Sequence, residues 1–256
     1  MEQGQGGGVQ RTEEIQCIRR GAVRIGGLQR FSLVDYPGKV SAVVFLQGCN
    51  FRCPYCHNPQ LVYPMLFEAP MAEADVLQYL KKRRGMIQGV VISGGEALLQ
   101  EGLAAFLGQV KDMGYPVKLD TNGSFPDHLE MLTSKGLIDY VALDYKAPVR
   151  LYAEAAGVAV STRDIIKSVR LCIESRIRHE ARTTVFDLLS GDDLEEVASE
   201  LRSYGVQRHY LQMYRKPPGS HGDLSPCELD KESQRTKFQQ SFQEWGIRNV
   251  DRRQVW

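Results

Sequence analysis

Apolar strands and amphipathic helices alternate along this chain from about residue 40 onward. The first strand, 40–46, is a continuous apolar run rich in valine, which is typical of a parallel strand buried on both faces. Five more strands follow, at 89–93, 117–120, 140–144, 181–186 and 209–213. This alternation predicts an α/β fold built from right-handed strand–helix–strand units. Six units are fewer than the eight of a closed barrel, so we expect a curved, partly open (β/α)6 barrel with parallel strands.

The helices between these strands are predicted from apolar residues that recur at helical spacing. Ser161 or Thr162 is the expected N-cap of one helix, and Asp192 or Asp193 is expected to open the next. The predicted helices lie at 75–84, 103–110, 128–134, 162–173, 192–201 and 231–245. A Pro- and Gly-containing loop is expected at 216–226, before the last of them.

The composition is that of an ordinary globular protein. Of 256 residues, 43% are hydrophobic and 25% are charged, and the formal net charge is +1. The near-neutral charge predicts no nucleic-acid surface, and the chain has no apolar run long enough to predict a membrane span. Residues 1–20 are polar, begin with a Gly-rich stretch and lack the apolar stretch of a signal peptide. We therefore expect a flexible tail over 1–20, one domain over 21–256, and a cytoplasmic location.

Three of the six cysteines stand within eight positions in the order C-x3-C-x2-C, at Cys49, Cys53 and Cys56. Three thiolates leave an inorganic centre one ligand short. A structural zinc ion usually has four protein ligands, and His57 adjoins Cys56 too closely to complete a tetrahedron. Thiolates suit iron–sulfur clusters as well as zinc, so these residues leave three alternatives open: an iron–sulfur cluster, a zinc site, or structural thiols. We expect the scattered cysteines to be structural or incidental: Cys17, Cys172 and Cys227.

Short motifs follow the ends of four successive predicted strands. After the cysteine loop come Gly94-Gly95-Glu96, Asp120-Thr121-Asn122-Gly123 and Asp144-Tyr145-Lys146. Taken singly, the first predicts only a tight turn and the last only a surface ion pair. The carboxyl ends of parallel strands meet at one edge of the sheet, where ligands bind in α/β folds. Together the motifs predict one site at that edge.

The stretch Cys49-Asn-Phe-Arg-Cys-Pro-Tyr-Cys-His-Asn-Pro59, with the motifs above, resembles the radical S-adenosylmethionine (SAM) superfamily. It is more closely similar to the activating enzymes of glycyl-radical proteins. The segment Phe-Ser-Leu-Val-Asp-Tyr-Pro-Gly-Lys at 31–39 and the Cys-His-Asn-Pro ending resemble the activators of anaerobic ribonucleoside-triphosphate reductase. The resemblance spans about residues 25–215.

The resemblance implies that Cys49, Cys53 and Cys56 hold a [4Fe–4S] cluster whose fourth iron binds SAM. Reductive cleavage of SAM gives methionine and a 5′-deoxyadenosyl radical, which takes a hydrogen atom from a glycine of a partner protein. The implied partner is a glycyl-radical enzyme, here the anaerobic reductase, and the expected electron donor is a flavodoxin or ferredoxin-type protein. Two other functions stay open: radical chemistry on a small molecule of the deazapurine type, and non-catalytic metal binding.

The resemblance also assigns residues to the cofactor. Tyr55 is expected near the adenine, and Gly94 and Gly95 are expected to let the backbone approach the methionine end. Glu96 follows in the same turn. One departure from the family pattern is Ala97, where many members have proline; this loses no functional group.

The remaining assignments concern charge. Asp120, Thr121 and Asp144 match positions that surround a monovalent cation in the pyruvate formate-lyase activator, and two carboxylates beside a bound carboxylate would repel without a cation. Lys146 and Arg182 are expected to offset the remaining charge or to bind the cofactor's ribose and carboxylate. Asp35 matches a position that contacts the incoming glycine loop. A second departure from the family pattern follows the sixth strand, where relatives carry a histidine and this chain has Gln212-Met-Tyr-Arg215. Ordinary structural roles are the alternative for Asp35, Asp144, Lys146 and Arg182.

Overall fold

The computed structural model describes residues 21–216, 224 and 241–248. Its strands form one eight-stranded sheet, ordered as they occur in the sequence. The strands are β1 Ile25–Ser32, β2 Ser41–Leu46, β3 Gly89–Gly94, β4 Val117–Thr121, β5 Tyr140–Asp144, β6 Arg178–Val185, β7 Arg208–Met213 and β8 Glu244–Arg248. The helices are α1 Pro59–Val62, α2 Glu73–Lys82, α3 Leu103–Asp112, α4 Pro126–Ser134, α5 Tyr152–Ala156, α6 Thr162–Glu174 and α7 Gly191–Tyr204.

Strands β2 to β8 are parallel, each paired with its predecessor, and β1 pairs antiparallel with β2. Strands β1 and β8 stand at the two ends of the sheet order, and no pairing joins them within the described part of the chain. The expected partly open α/β barrel is therefore confirmed, and its six predicted strands are β2 to β7.

The count of six strands was incomplete, because β1 and β8 were not predicted. The predicted closing helix is wrong at its end, since Glu244 and Trp245 lie in β8. The rest of that helix, the 1–20 tail, Cys17, Cys227 and most of the 216–226 loop lie outside the described residues. Strand β1 carries Gly26-Gly27, which weakens the strand pattern. A Cβ on Gly26 would lie 2.4 Å from Leu61 Cδ2, so this glycine is needed for the close approach of α1.

Capping residues mark both ends of α7, whereas Ser161 is the N-cap residue of α6 but makes no side-chain capping bond. Helix α7 begins with a capping box in which the Ser190 hydroxyl accepts a hydrogen bond from the Asp193 backbone N–H at 3.2 Å. It ends at Gly205, whose φ of +96° is the left-handed conformation that glycine adopts without strain. None of the described helices is long and apolar enough to cross a membrane.

The two faces of the sheet differ in polarity. The main hydrophobic core lies between the sheet and the helices, with Val44, Ile92 and Val141 among its fully buried members. The inner face carries a small apolar cluster of four buried residues: Tyr36 in the β1–β2 hairpin, Val43 in β2, Val91 in β3 and Tyr140 at the start of β5. Charged side chains fill the inner face further along the sheet, from β4 onward. The interior of this barrel is therefore partly polar, as a ligand-binding interior is expected to be.

Candidate functional site

The cysteine loop follows β2 and is held by its backbone on two sides. Gly48, with φ of +97°, turns the chain out of β2 and donates its N–H to the Leu61 carbonyl at 2.7 Å. The Arg52 N–H donates to the Ala156 carbonyl at the end of α5, at 2.8 Å. The Arg52 guanidinium also donates to the carbonyls of Cys49 and Phe51, at 2.7 and 2.8 Å. The loop is thus anchored by contacts to its backbone, and the Cys49 sulfur also accepts a hydrogen bond from the Phe51 N–H at 3.4 Å.

The three thiols are partly buried at this edge of the sheet. Burial raises the pKa of Cys49 to about 12, with a further contribution from the nearby Glu96 carboxyl. Burial also raises the pKa of Cys56. Without metal, Cys49 and Cys56 are therefore neutral thiols at physiological pH, and metal binding has to displace their protons.

No three His, Cys, Asp or Glu side chains within the described residues gather as the ligands of one metal ion do. That finding concerns a single ion; in a cubane cluster each cysteine binds a different iron. His57 points elsewhere: its ring nitrogen lies 3.1 Å from the Arg215 carbonyl oxygen, and its ring stacks on Tyr214. The chemistry of the donor set fits an iron–sulfur cluster held by three thiolates.

The glycine pair at the end of β3 is packed against the start of the cysteine loop. A Cβ on Gly95 would lie 1.9 Å from the Gly48 carbonyl oxygen, and one on Gly94 would lie 2.4 Å from Leu46 backbone atoms. The Gly95 N–H donates to the Leu46 carbonyl at 2.9 Å. Both glycines are therefore required by the close approach of the backbone at Leu46 and Gly48, which leads into Cys49. Their expected contact with the cofactor stays a prediction.

Glu96 is fully buried and joins three strand ends. Its carboxylate accepts hydrogen bonds from the Leu98 N–H at 3.0 Å, the Thr121 hydroxyl at 2.8 Å and the Asn122 N–H at 2.7 Å. Asn122 in turn donates to the Asn50 side chain in the cysteine loop, at 2.9 Å. Burial raises the pKa of Glu96 to about 7, although the three donors favour its ionised form. Glu96 and Thr121 thus link the ends of β3 and β4, and Asn122 links them to the cysteine loop.

Five charged side chains form a row across the ends of β4, β5 and β6. Arg182 lies at its centre, 3.3 Å from an Asp120 oxygen and 2.9 Å from an Asp144 oxygen. Lys118 pairs with Asp120 at 2.5 Å, and Lys146 lies 3.7 Å from Asp144. The two carboxylates expected to need a monovalent cation are therefore each flanked by two cations of the protein. Because these basic side chains already offset the charge of Asp120 and Asp144, a metal cation is not needed to prevent repulsion between the two carboxylates.

Lys118 is the member of this row that sequence reasoning missed. It is almost fully buried, on the inner face of β4 with Asp120. Burial opposes ionisation of Asp120, but Arg182 and Lys118 outweigh it and lower the pKa of this carboxyl. Period-two alternation along β4 places residues 118 and 120 on one face, so the strand pattern itself contained this signal.

Lys146 connects the charge row to the cysteine loop. Its ammonium lies 5.7 Å from the centre of the Tyr55 ring and 6.0 Å from that of Phe51. Tyr55 is buried and packs against Phe186, with ring centres 4.3 Å apart. The Tyr55 hydroxyl has no hydrogen-bond partner among the described residues, as expected of a group beside a ligand site.

Asp35 is the one predicted site residue that the structure does not bring to this edge. It lies in the β1–β2 hairpin, which precedes β2, whereas the cysteine loop follows β2. The two are separated by the six residues of β2, about 20 Å. Asp35 accepts a hydrogen bond from the Ser32 hydroxyl, and its own N–H donates back at 3.2 Å. Its carboxylate therefore stabilises the hairpin turn at the opposite edge.

Comparisons with known proteins agree with this arrangement. A family model described as the radical SAM superfamily matches residues 43–202, more than half of the chain. A protein of Methanocaldococcus jannaschii, named as a glycyl-radical enzyme activating enzyme, is 35% identical over 213 residues, which cover 76% of this chain and 85% of that protein. A pyruvate formate-lyase-activating enzyme of Clostridium pasteurianum is 36% identical over 129 residues, 48% of this chain and 52% of that one.

A solved structure is also similar. The radical SAM methyltransferase from Sphaerobacter thermophilus superposes with a TM-score of 0.65 over 83% of this chain and 67% of that chain, at 16% identity. At this identity the likeness shows the fold alone. The chain spans most of the M. jannaschii relative but only about half of the C. pasteurianum one.

Proposed function

Because this chain belongs to the radical SAM superfamily, we propose that it activates a glycyl-radical enzyme, and that this enzyme is anaerobic ribonucleoside-triphosphate reductase. The observation that carries the activating function is the similarity to the M. jannaschii activating enzyme, which extends over three quarters of the chain. A likeness of that extent goes beyond the cysteine motif that radical SAM enzymes of many functions share. The choice of the anaerobic reductase is supported by the segment 31–39 and the Cys-His-Asn-Pro ending, which resemble its activators.

The chain is a radical SAM enzyme, and the family implies a [4Fe–4S] cluster and SAM as its cofactors. Cys49, Cys53 and Cys56 would hold the cluster. When bound, the cluster would pass one electron from an external reductant to SAM, and the cleavage would supply methionine and a 5′-deoxyadenosyl radical able to take a hydrogen atom from the target glycine.

The described residues have three tasks in that reaction. The anchored backbone of the cysteine loop, tied to Ala156 by Arg52, fixes the thiols before any cofactor arrives. Arg182 and Lys146 present positive charge at the edge, which favours a ligand that carries a carboxylate. Tyr55 and Phe186 form an apolar wall beside them that excludes water from the reacting groups.

The test uses the reconstituted protein, dithionite, SAM and purified anaerobic reductase under strict exclusion of oxygen. We expect a glycyl-radical signal on the reductase in the electron paramagnetic resonance (EPR) spectrum, with 5′-deoxyadenosine formed in step. Pyruvate formate-lyase is the parallel substrate, and we expect no radical on it. A radical on pyruvate formate-lyase alone would overturn the choice of partner. Turnover of a small deazapurine precursor with neither protein activated would overturn the activating function itself.

A further inference from the structure

Four large apolar side chains are exposed together at the edge of the sheet opposite the cysteine loop. They are Phe31, Leu33 and Val34 in the β1–β2 hairpin and Met86 before β3, with exposed fractions of 59%, 65%, 83% and 64%. We call these four residues the hairpin patch. Scattered exposed apolar residues are normal, but a group of them on one surface marks an interaction site.

Contacts between the hairpin and α2 make this surface continuous. The Tyr79 hydroxyl donates to the Arg30 carbonyl at 2.8 Å, and the guanidinium groups of Arg30 and Arg83 lie 5.7 and 5.8 Å from the centre of the Tyr79 ring. Arg83 in turn donates to the Met86 sulfur at 3.6 Å. The residue before Phe31 is thereby linked to Met86 through Tyr79 and Arg83, on the same side of the molecule.

Basic side chains flank the hairpin patch along the chain: Arg30 precedes Phe31, Lys39 ends the hairpin, and four basic residues at 81–84 precede Met86. Within the described residues, none of them forms an ion pair with a carboxylate. An apolar centre with a rim of unneutralised cations is complementary to an apolar centre with an acidic rim. These basic residues are Arg30, Lys39, Lys81, Lys82, Arg83 and Arg84.

The patch also stands beside the opening of the barrel. Strand β1 is the end strand of the sheet, and its outer edge makes a single bridge, between Ile25 and Met71, within the described residues. A protein bound to the end of β1 is therefore next to the gap through which a loop can enter the interior.

We propose that the hairpin patch docks an acidic face of the glycyl-radical enzyme, so that the enzyme's glycine loop enters the barrel beside β1. This rests on the proposed function. It names the surface and the charge of the partner, and gives the 31–39 segment a docking role in place of contact at the reacting glycine.

Other occupants fit less well. A second copy of the chain would bring two basic rims together and repel. An electron donor bound here would stand the length of β2, about 20 Å, from the cysteines. A membrane would desolvate the Asp35 carboxylate between Val34 and Tyr36. Nucleic acid binds mainly through contacts between its phosphates and basic side chains, which would leave the four apolar side chains without a partner.

The experiment measures binding of the purified anaerobic reductase to the reconstituted full-length protein, together with uncoupled SAM cleavage. Two variants change the patch and its rim: Phe31→Ser/Val34→Ser, and Arg83→Glu. Arg170→Glu is the matched control, since Arg170 is also an exposed arginine whose guanidinium lies over a tyrosine ring, that of Tyr204. We expect each patch variant to weaken binding about tenfold or more and the control to leave it unchanged. We expect every variant to cleave SAM in the absence of the reductase as the native protein does, which would show that the variants fold.

Each other outcome overturns the docking role. If the native protein activates the reductase and the patch variants bind it as tightly as the control, the docking surface is wrong and the proposed function stands. If the native protein cleaves SAM but neither binds nor activates the reductase, the choice of partner fails, and the docking role with it. Vesicles containing phosphatidylglycerol are a second probe, and binding to them that the patch variants lose would identify a lipid surface instead.

Discussion

Arg182 joins the two carboxylates at the functional edge. Its guanidinium contacts Asp120 at 3.3 Å and Asp144 at 2.9 Å, and its side chain is only 11% exposed. Buried ion pairs are costly to break, because removing one partner leaves the other charge without compensation. Arg182 therefore matters to the fold as well as to any bound ligand.

The first prediction follows from that contact. Arg182→Met should lower the free energy of unfolding by about 3 kcal/mol, because both carboxylates lose a shared partner. Urea unfolding of the two proteins at neutral pH measures the difference. Arg178→Met is the control, since Arg178 lies exposed on the same strand, and it should change stability by less than about 0.5 kcal/mol. Equal effects of the two substitutions would contradict the role of Arg182.

The cysteines give the second prediction. Replacing Cys49, Cys53 or Cys56 by Ala should abolish both iron retention and SAM cleavage, because each thiolate is expected to hold a different iron. Iron per chain after anaerobic reconstitution is the readout. Cys172→Ala is the matched control: Cys172 is buried in α6, and its loss should cost about 1 kcal/mol of stability while iron content stays unchanged. Full iron content in any of the three variants would exclude that cysteine as a ligand.

Among the elements, the ends of β2 and β3 depend on each other. The Gly95 N–H bonds the Leu46 carbonyl, and the Glu96 N–H bonds the Gly48 carbonyl at 2.8 Å. The turn after β3 thus holds the backbone that leads into the cysteine loop in place. A substitution that displaces one of these two turns should therefore displace the other.

Gly95→Ala tests that dependence. Its Cβ would lie 1.9 Å from the Gly48 oxygen, so one backbone has to move. We expect the variant to retain less than about a tenth of the native iron and to be destabilised by about 2 kcal/mol or more. Gly108→Ala, in α3 with nothing within 4 Å of the added Cβ, should instead stabilise the protein by about 0.5–1 kcal/mol. Native iron content in Gly95→Ala would show that the loop does not depend on this contact.

The elements that sequence patterns predicted well are those with a strong period. Strands β2 to β7 are apolar or alternating, and their predicted bounds agree with the structure to within three residues. Strand β1 was missed because Gly26-Gly27 breaks its pattern. Strand β8 was missed because Glu-Trp-Gly-Ile-Arg has no apolar run, and its pairing with β7 is a long-range contact that a local pattern does not contain.

The same limit applies to the site. The motifs at strand ends were predicted to meet at one edge, and they do, because parallel strands place their carboxyl ends there. Asp35 was assigned by resemblance to contact with the incoming glycine loop, and the direction of β2 places its hairpin at the other edge of the sheet. The balance of charge around Asp120 was not predictable from neighbours in sequence, since Arg182 comes from a strand two positions away in the sheet.

At the scale of the whole molecule, stability should depend on pH through a buried histidine. His209 is 1% exposed, and one ring nitrogen lies 2.9 Å from the Thr183 hydroxyl oxygen. Burial lowers the pKa of His209 to about 3 from an ordinary 6.5. Between pH 6.5 and pH 3, His209 therefore binds a proton in the unfolded chain and remains neutral in the folded protein. The stabilisation from a neutral His209 is present above pH 6.5 and is lost as pH falls toward 3.

The contribution of His209 to the free energy of unfolding should thus decrease between pH 6.5 and pH 5, whereas Glu96, whose pKa is raised to about 7, contributes a slope of the opposite sign over this interval. His209→Gln removes the first contribution, so as pH falls over this interval the stability of that variant in urea should decrease less, or increase more, than that of the native protein. The comparison uses slopes, since the substitution itself lowers stability at every pH. The same slope in both proteins would assign the pH dependence to another group.

The overall architecture explains why the site is where it is. Seven parallel strands bring their carboxyl ends to one edge, and the inner face beneath carries charge in place of an apolar core. Within the described residues no strand joins β1 to β8, so the sheet does not close on that side.

The most direct test of this account is the EPR spectrum of the anaerobically reconstituted, dithionite-reduced protein before and after SAM is added, with 5′-deoxyadenosine measured in the same sample. The account predicts a cluster signal that changes when SAM binds, and formation of 5′-deoxyadenosine. An intact cluster whose spectrum is indifferent to SAM, with no 5′-deoxyadenosine formed, would contradict a SAM site at the cysteine edge of the sheet.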